Sequence, residues 1–165
     1  MLAEKNIDGS LSNDLTLNMF IQKAQRFCVF QERSIYQTEQ KLRTWGANEK
    51  TISKVLEHLK DNDFLNQNRF IESFVSGKLK YNKWGKIKII VELRAHQITD
   101  ELINEYIGKI DDDIYRQILF DLIDKKNNTL TSENNLQVKK QKIINYCLSK
   151  GFEFEGVNKI VKSLK

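Results

Sequence analysis

Proline is absent from all 165 residues of the sequence, although globular proteins use it at roughly 5% of positions. Proline is the residue that most strongly disrupts a helix interior, because it has no amide N–H and its ring clashes with the preceding turn. Its absence leaves every part of this chain open to helix formation and favours an all-α fold.

Cysteine and histidine are scarce, with two residues of each. Cys28 and Cys147 lie far apart, each among apolar residues at helical spacing, so we expect two reduced, buried thiols. His58 and His96 are too distant in sequence to suggest a metal-ligand pair. Because a glycine-rich phosphate loop and a nucleophile elbow are also missing, we expect no enzymatic activity, no cofactor and no metal.

Long apolar runs are missing as well. The N-terminal residues include Glu4 and Asp8 and contain no stretch suited to a signal peptide or a membrane span, which predicts a soluble, cytoplasmic protein. Acidic residues are in the minority: 27 Lys and Arg against 22 Asp and Glu give a net charge of +5. This balance favours an anionic partner, either nucleic acid or an acidic protein surface.

What the sequence does contain is a repeated succession of amphipathic helices. Each unit closes with a similar apolar stripe, and the stripe positions Ile52, Ile103 and Val157 are 51 and 54 residues apart. Near-constant spacing of this kind indicates a tandem repeat whose neighbours bury one another's faces. We predict an all-α fold of three three-helix repeats in an elongated, curved stack. The segments are a flexible tail at 1–15 and repeats at 16–62, 63–110 and 111–165.

Several residues mark helix ends. Ser34 and Gln37 have the spacing of a capping box, Gly46 can adopt the left-handed conformation that ends a helix, and Asn48 can cap the next one. The acidic residues 111–113 precede an apolar helix, where carboxylates cap the first turn and complement its dipole. Metal coordination by these three residues is the alternative.

The densest cationic stretch lies between residues 65 and 98, in the middle repeat. Its basic residues are the candidate contacts to an anionic partner: Lys78, Lys80, Lys83, Lys86, Lys88 and Arg94. Lys83 and Lys86 would lie near a helix start, where positive charge opposes the dipole unless a carboxylate or phosphate sits against it. An ordinary solvated face is the alternative reading.

Residues 84–98 are predicted to form a helix with two apolar stripes, although the run at 86–91 also resembles an edge strand. The first stripe contains Trp84, Ile87, Val91, Ala95 and Ile98. The second contains Ile89 and Leu93. An ordinary surface helix has one stripe, so this helix is either packed on two sides or has one stripe available for a partner. We expect Ile89 and Leu93 to face the core.

Three motifs in this order resemble the RecX family. They are FCVFQERSIYQTEQKLRTWG at 27–46, DNDFLNQNRFIESFVSGKL at 61–79 and KWGKIKIIVELRAHQI at 83–98. Four positions depart from the family pattern: Lys86 replaces a proline, Gln97 a glycine, Asn68 an acidic residue and Ile71 an alanine. The resemblance extends from about residue 17 to 164, and in the third repeat it rests on architecture more than on motif, apart from the ending SKGFEFEGVNKIV at 149–161.

The resemblance implies a non-enzymatic regulator that binds the RecA recombinase filament on single-stranded DNA. Proteins of this family restrain the ATP hydrolysis, strand exchange and co-protease activity of RecA. We expect a monomer without a membrane-bound form, acting in DNA repair. Two alternatives remain open: a helical module that binds single-stranded nucleic acid directly, and an adaptor for another acidic protein.

Overall fold

The computed structural model describes the backbone of residues 7–164 and the side chains of residues 14–164. The described chain consists of helices joined by short turns. In order they are α1 (Ile7–Phe30), α2 (Ile35–Thr44), α3 (Glu49–Asp61), α4 (Gln67–Lys80), α5 (Lys86–Ala95), α6 (Asp100–Gly108), α7 (Asp112–Asn128), α8 (Leu136–Ser149) and α9 (Phe154–Lys162). The predicted all-α fold is confirmed, and the strand reading of residues 86–91 is wrong because they lie within α5.

The chain divides into two compact units, Met1–Phe70 and Ile71–Lys165. In the first unit, α1 packs against α2 and α3. In the second unit, α5 packs against α6, and α7, α8 and α9 pack against one another. The boundaries at 62/63 and 110/111 and the curved stack stay predictions.

Equivalent positions of successive three-helix groups carry buried residues. Thr38, Ile89 and Ile143 are buried and follow one another at intervals of 51 and 54 residues. The same intervals separate Leu42, Leu93 and Cys147, which are also buried. They recur again in the left-handed residues that follow the second helix of each group, Gly46, Gln97 and Gly151. The repeat inferred from the closing stripes therefore extends to the second helices.

The predicted helix caps are confirmed in the first unit. The Ser34 hydroxyl accepts from the Gln37 amide at 3.0 Å, and the Gln37 side chain accepts from the Ser34 amide at 3.1 Å. Gly46 follows α2 with a φ of 89°. The Asn48 side chain accepts from the amide of Thr51 at the start of α3. These contacts satisfy amides that a helix terminus otherwise leaves without partners.

The N-terminal prediction needs a correction, because α1 begins at Ile7. Residues 7–15 were expected to lack regular structure and are helical instead. Once the later turns of α1 are formed, each added residue gains one hydrogen bond without the cost of a new helix nucleus, and the sequence offers no proline to stop the extension. Residues 1–6 of the predicted tail lie outside the described residues.

Both cysteines are buried free thiols, as predicted. Burial raises the pKa of Cys28, and it raises the pKa of Cys147 to about 11. Among residues 7–164, no helix is long and apolar enough to span a membrane.

Candidate partner-binding surface

The start of α5 is fixed by close backbone contact with the end of α8. Gly85 is the N-cap residue of α5, and its amide donates to the carbonyl of Lys150 at 2.9 Å. The Ile87 amide donates to the carbonyl of Gly151 at 3.1 Å. A Cβ atom on Gly85 would lie only 2.2 Å from the Gly151 oxygen. Only glycine therefore permits this approach, which brings the positive end of one helix to the carbonyls that follow another.

Tyr115 of α7 completes the same junction. Its phenolic oxygen accepts from the Lys86 amide at 3.0 Å and donates to the Glu153 carboxylate at 2.7 Å. Its ring also packs against Phe152 with a centroid distance of 5.2 Å. Burial and the bond to Glu153 raise the pKa of Tyr115, so the phenol keeps its proton and holds both partners.

The charge of Lys86 is compensated within the chain. Its ammonium lies 3.3 Å from a carboxylate oxygen of Asp112 and 4.7 Å from the ring centre of Tyr115. The sequence suggested that a carboxylate or phosphate would sit against this helix start, and a carboxylate of the protein itself does so. Because protein groups already bind the Gly85, Lys86 and Ile87 amides, the α5 terminus does not present them to an external anion.

Trp84 brings two of the candidate lysines together. The Nζ atoms of Lys78, on α4, and Lys88, on α5, each lie 4.6 Å from the centre of the indole ring. Lys78 also lies over the ring of Phe74. Cation–π contacts hold a lysine in place without neutralising it. These two charges are therefore positioned side by side at the α4–α5 turn.

The remaining candidates differ in their surroundings. Arg94 donates to the Asp100 carboxylate at 2.8 Å, and this contact raises its pKa. Lys80 is exposed at the end of α4, and Lys83 is half-buried in the turn with a φ of 54°. Within the described part of the chain, neither Lys80 nor Lys83 forms an ion pair with a carboxylate. Tyr81, between them, is 86% exposed.

The six sequence-predicted residues thus do not form one uniform patch. Lys78, Lys80, Lys83 and Lys88 lie at or beside the α4–α5 turn without a carboxylate partner in the described residues. Lys86 and Arg94 each face an aspartate. Which of the six contact a partner stays a prediction.

The two apolar stripes of α5 have different environments. Ile89 and Leu93 are completely buried, which confirms that they hold the helix against the core. Ile87 and Val91 are 51% and 56% exposed. Of the two alternatives for this helix, packing on both sides does not hold at Ile87 and Val91, where the first stripe faces solvent. Ile98 is buried, because it lies beyond the C-terminal end of α5 and follows the turn inward.

Sequence reasoning missed the groups that fix the start of α5. The sequence pattern assigned neither Tyr115 nor Gly151 a role at this helix start. Asp112 was considered with its neighbours as a cap or a metal ligand. The Asp111 cap is confirmed, since its carboxylate accepts from the amides of Asp113 and Ile114. No cluster of metal-ligating side chains is found in the range whose side chains are described.

The fold and this surface define an all-α protein whose buried positions repeat and whose middle segment presents lysines beside an apolar helix face. Residues 66–107 match the model of a known domain, the second three-helix domain of RecX. This segment contains α5, the α4–α5 turn and all six candidate basic residues.

Curated relatives extend the match beyond that segment. The regulatory protein RecX of Clostridium perfringens is 29% identical over 134 residues, which cover 78% of this chain and 62% of that protein. The Clostridium acetobutylicum protein of the same name is 30% identical over 127 residues, which cover 75% and 58%. The chain therefore spans about three-fifths of the length of these relatives. The resemblance to the RecX family that the sequence indicated is confirmed.

Solved structures support the fold. The crystal structure of RecX from Lactobacillus salivarius superposes with a TM-score of 0.76 at 24% identity, covering 90% of this chain and 96% of that one. A second crystal structure, of a regulatory protein RecX, has a TM-score of 0.84 at 18% identity and covers 99% and 81%. The helical arrangement is thus shared with proteins of low sequence identity.

Proposed function

We propose that this protein is a non-enzymatic regulator that binds the RecA recombinase filament on single-stranded DNA and restrains its ATPase, strand-exchange and co-protease activities. The observation that carries this proposal is the match of residues 66–107, which include every candidate basic residue, to a RecX domain. The relatives are named as regulatory proteins. We further propose that it acts in the cytoplasm as a monomer.

The charge distribution supports a contact at the α4–α5 turn. Lys78 and Lys88 are fixed on Trp84, and Lys80 and Lys83 flank the same turn without carboxylate partners in the described chain. A cluster of uncompensated cations steers association with an acidic surface and adds specificity to the contact. The single-stranded DNA of a recombinase filament carries phosphates, which have the complementary charge.

The test is the DNA-dependent ATPase of RecA with added protein. The wild type is expected to suppress hydrolysis, and the double variant Lys83→Glu/Lys88→Glu to suppress it at least about tenfold less well at equal concentration. Lys88 lies in the first turn of α5, where glutamate is favourable to the helix dipole, so we expect the fold to survive. Lys86 and Arg94 are less suitable targets, because each side chain forms an ion pair with an aspartate.

Lys50→Glu/Lys54→Glu is the matched control. Both lysines are exposed on α3, and the double change alters the net charge by the same amount. Circular dichroism checks that each variant remains helical. Suppression that is equal for the wild type and Lys83→Glu/Lys88→Glu would place the contact elsewhere, and a wild type without effect on the ATPase would refute the proposed function.

A second candidate function is direct binding of single-stranded nucleic acid. The 86% exposed ring of Tyr81 favours it, because the ring stands next to Lys80 and could stack on an unpaired base while the lysine contacts a phosphate. Binding to single-stranded DNA in the absence of recombinase distinguishes this candidate. An adaptor for another acidic protein would bind neither single-stranded DNA nor purified recombinase immobilised on a column, and this distinguishes it from the two candidates above.

A further inference from the structure

The outward face of α5 presents aliphatic side chains to solvent. Ile87 and Val91 are four residues apart and therefore lie on the same side of the helix. Ala95, four residues further, is also exposed. Arg94 is seven residues from Ile87 and projects close to it on the same side of the helix. The face defined by these residues is called the α5 outer face below.

Single exposed aliphatic residues are common on protein surfaces and need no explanation. The α5 outer face differs because two β-branched side chains are aligned on a helix of ten residues whose opposite stripe is completely buried. The helix is also held firmly at its start, where the Ile87 amide itself donates to Gly151. The position of the two aliphatic side chains is therefore fixed before a partner binds, and such preorganisation lowers the entropic cost of binding.

We propose that the α5 outer face binds the recombinase filament. The contacted surface of the recombinase would have an apolar centre and an acidic border. The inference rests on the proposed function and adds the chemistry of the contact. Ile87 and Val91 would enter the apolar centre. Lys88, Arg94 and the lysines of the α4–α5 turn would meet the carboxylates around it.

The charges beside the α5 outer face favour an acidic border. Lys88 projects about 60° from the centre of the α5 outer face and Arg94 lies on it, whereas Lys86 projects about 140° away, beside the buried stripe. Asp100 partly neutralises Arg94, whereas Lys88 contacts the indole of Trp84 and forms no ion pair with the residues whose side chains are described. Exposed ion pairs contribute little to affinity. The apolar residues must therefore supply much of the binding energy, as buried centres of protein interfaces do.

The side chains at the centre favour a protein over nucleic acid. Isoleucine and valine offer no flat face on which a base can stack and no donor for a phosphate. The aromatic ring suited to stacking, Tyr81, belongs to the preceding turn and lies outside α5. A contact made through Ile87 and Val91 therefore distinguishes recognition of recombinase protein from recognition of the DNA that it coats.

The experiment compares Ile87→Gln/Val91→Gln with the wild type in binding to RecA filaments assembled on single-stranded DNA and, separately, to the same DNA without RecA. Glutamine is a good helix former, and both positions are exposed, so the fold should be retained. The matched control is Ile114→Gln/Val138→Gln, which changes the same residue types at 51% and 40% exposure in the same unit.

We expect Ile87→Gln/Val91→Gln to weaken filament binding at least about tenfold, with the control unchanged. Suppose that the wild type suppresses the ATPase and that Ile87→Gln/Val91→Gln binds the filament as tightly as the wild type. That result would overturn this inference and leave the proposed function standing. An equal loss of binding to free DNA would assign the face to nucleic acid and overturn it as well. A wild type that neither binds nor inhibits RecA would overturn both.

Discussion

Gly85 is the residue at which side-chain size matters most for the candidate surface. A methyl group there would lie within 2.4 Å of three backbone atoms, the oxygen and carbon of Gly151 and the nitrogen of Phe152. Backbone atoms at a helix junction cannot retreat as the end of a flexible side chain can. The hydrogen bonds from Gly85 and Ile87 to the end of α8 depend on this approach.

Gly85→Ala is therefore expected to lower the free energy of unfolding by about 3 kcal/mol or more, through overpacking and the loss of these bonds. Its φ of −78° is open to alanine, so backbone strain is not the cause. Urea denaturation followed by circular dichroism measures the change.

Gly77→Ala is the control for that substitution. Gly77 lies inside α4, and a Cβ atom there would meet nothing within 4 Å. Alanine is the better helix former, so this variant should be about 0.5–1 kcal/mol more stable than the wild type. Equal stabilities of the Gly85→Ala variant and the wild type would contradict the close approach of α5 to Gly151.

At the scale of the element, α5 is held at both ends by groups from other helices. Its first amides bind Gly151 and Tyr115. At the other end, its C-cap residue His96 packs edge to face against Phe74 at a centroid distance of 5.5 Å. Burial lowers the pKa of His96; nearby Lys78 adds to this effect, and Glu92 opposes it. The imidazole is thus favoured in its neutral form in the folded protein.

This lowered pKa predicts a pH dependence of stability. The unfolded chain takes up a proton on His96 near its ordinary value of about 6.5, and the folded chain only at lower pH. The stability that neutral His96 contributes is therefore complete above its pKa in the unfolded chain, and it is lost as the pH falls through its pKa in the folded chain. His96→Phe keeps a ring against Phe74 but cannot titrate. Its free energy of unfolding should fall less than that of the wild type between about pH 7.5 and 5.5.

Urea unfolding of both proteins across this interval, at constant ionic strength, measures the difference. His58 and the carboxylates are common to both proteins, so their contributions cancel in the comparison. Parallel pH profiles for wild type and His96→Phe would contradict a neutral, partly buried His96.

Elements were predictable from the sequence where local chemistry decides them. Ser34 with Gln37, Asn48 and Asp111 cap helices because a side-chain oxygen reaches an amide two or three residues away, and no distant residue is needed. The burial of Ile89 and Leu93 followed from helical spacing. Which stripe of α5 faces solvent did not follow, because it depends on α6 and on Tyr115 and Gly151, which are 29 and 64 residues away from the α5 amides that they bind.

The candidate site was predictable in composition but not in its pairings. All six basic residues were visible as a cluster, and five of them lie within 11 residues. The aspartate opposite Lys86 comes from the start of α7, 26 residues later. The contact of Lys78 and Lys88 with one indole likewise requires α4 and α5 to be folded on each other. Local patterns locate charge, whereas tertiary packing decides which charges remain available.

At the scale of the whole molecule, the net charge of +5 fits both an acidic protein partner and nucleic acid. The two differ in how binding responds to salt. Contacts to DNA phosphates release condensed counterions, so three lysines such as Lys80, Lys83 and Lys88 would give a log–log slope of about −2 on a single strand. An apolar contact through Ile87 and Val91 is insensitive to such ions.

Binding to recombinase filaments is therefore expected to fall by about fourfold or less between 50 and 200 mM salt, and binding to free single-stranded DNA by about 15-fold. Fluorescence anisotropy of the labelled protein measures both titrations under identical buffers. Lys83→Glu/Lys88→Glu should flatten the DNA slope, whereas Ile87→Gln/Val91→Gln should shift the filament curve without changing its slope. Equal steep slopes for filament and free DNA would contradict a protein-directed contact, because charge alone would then account for the binding.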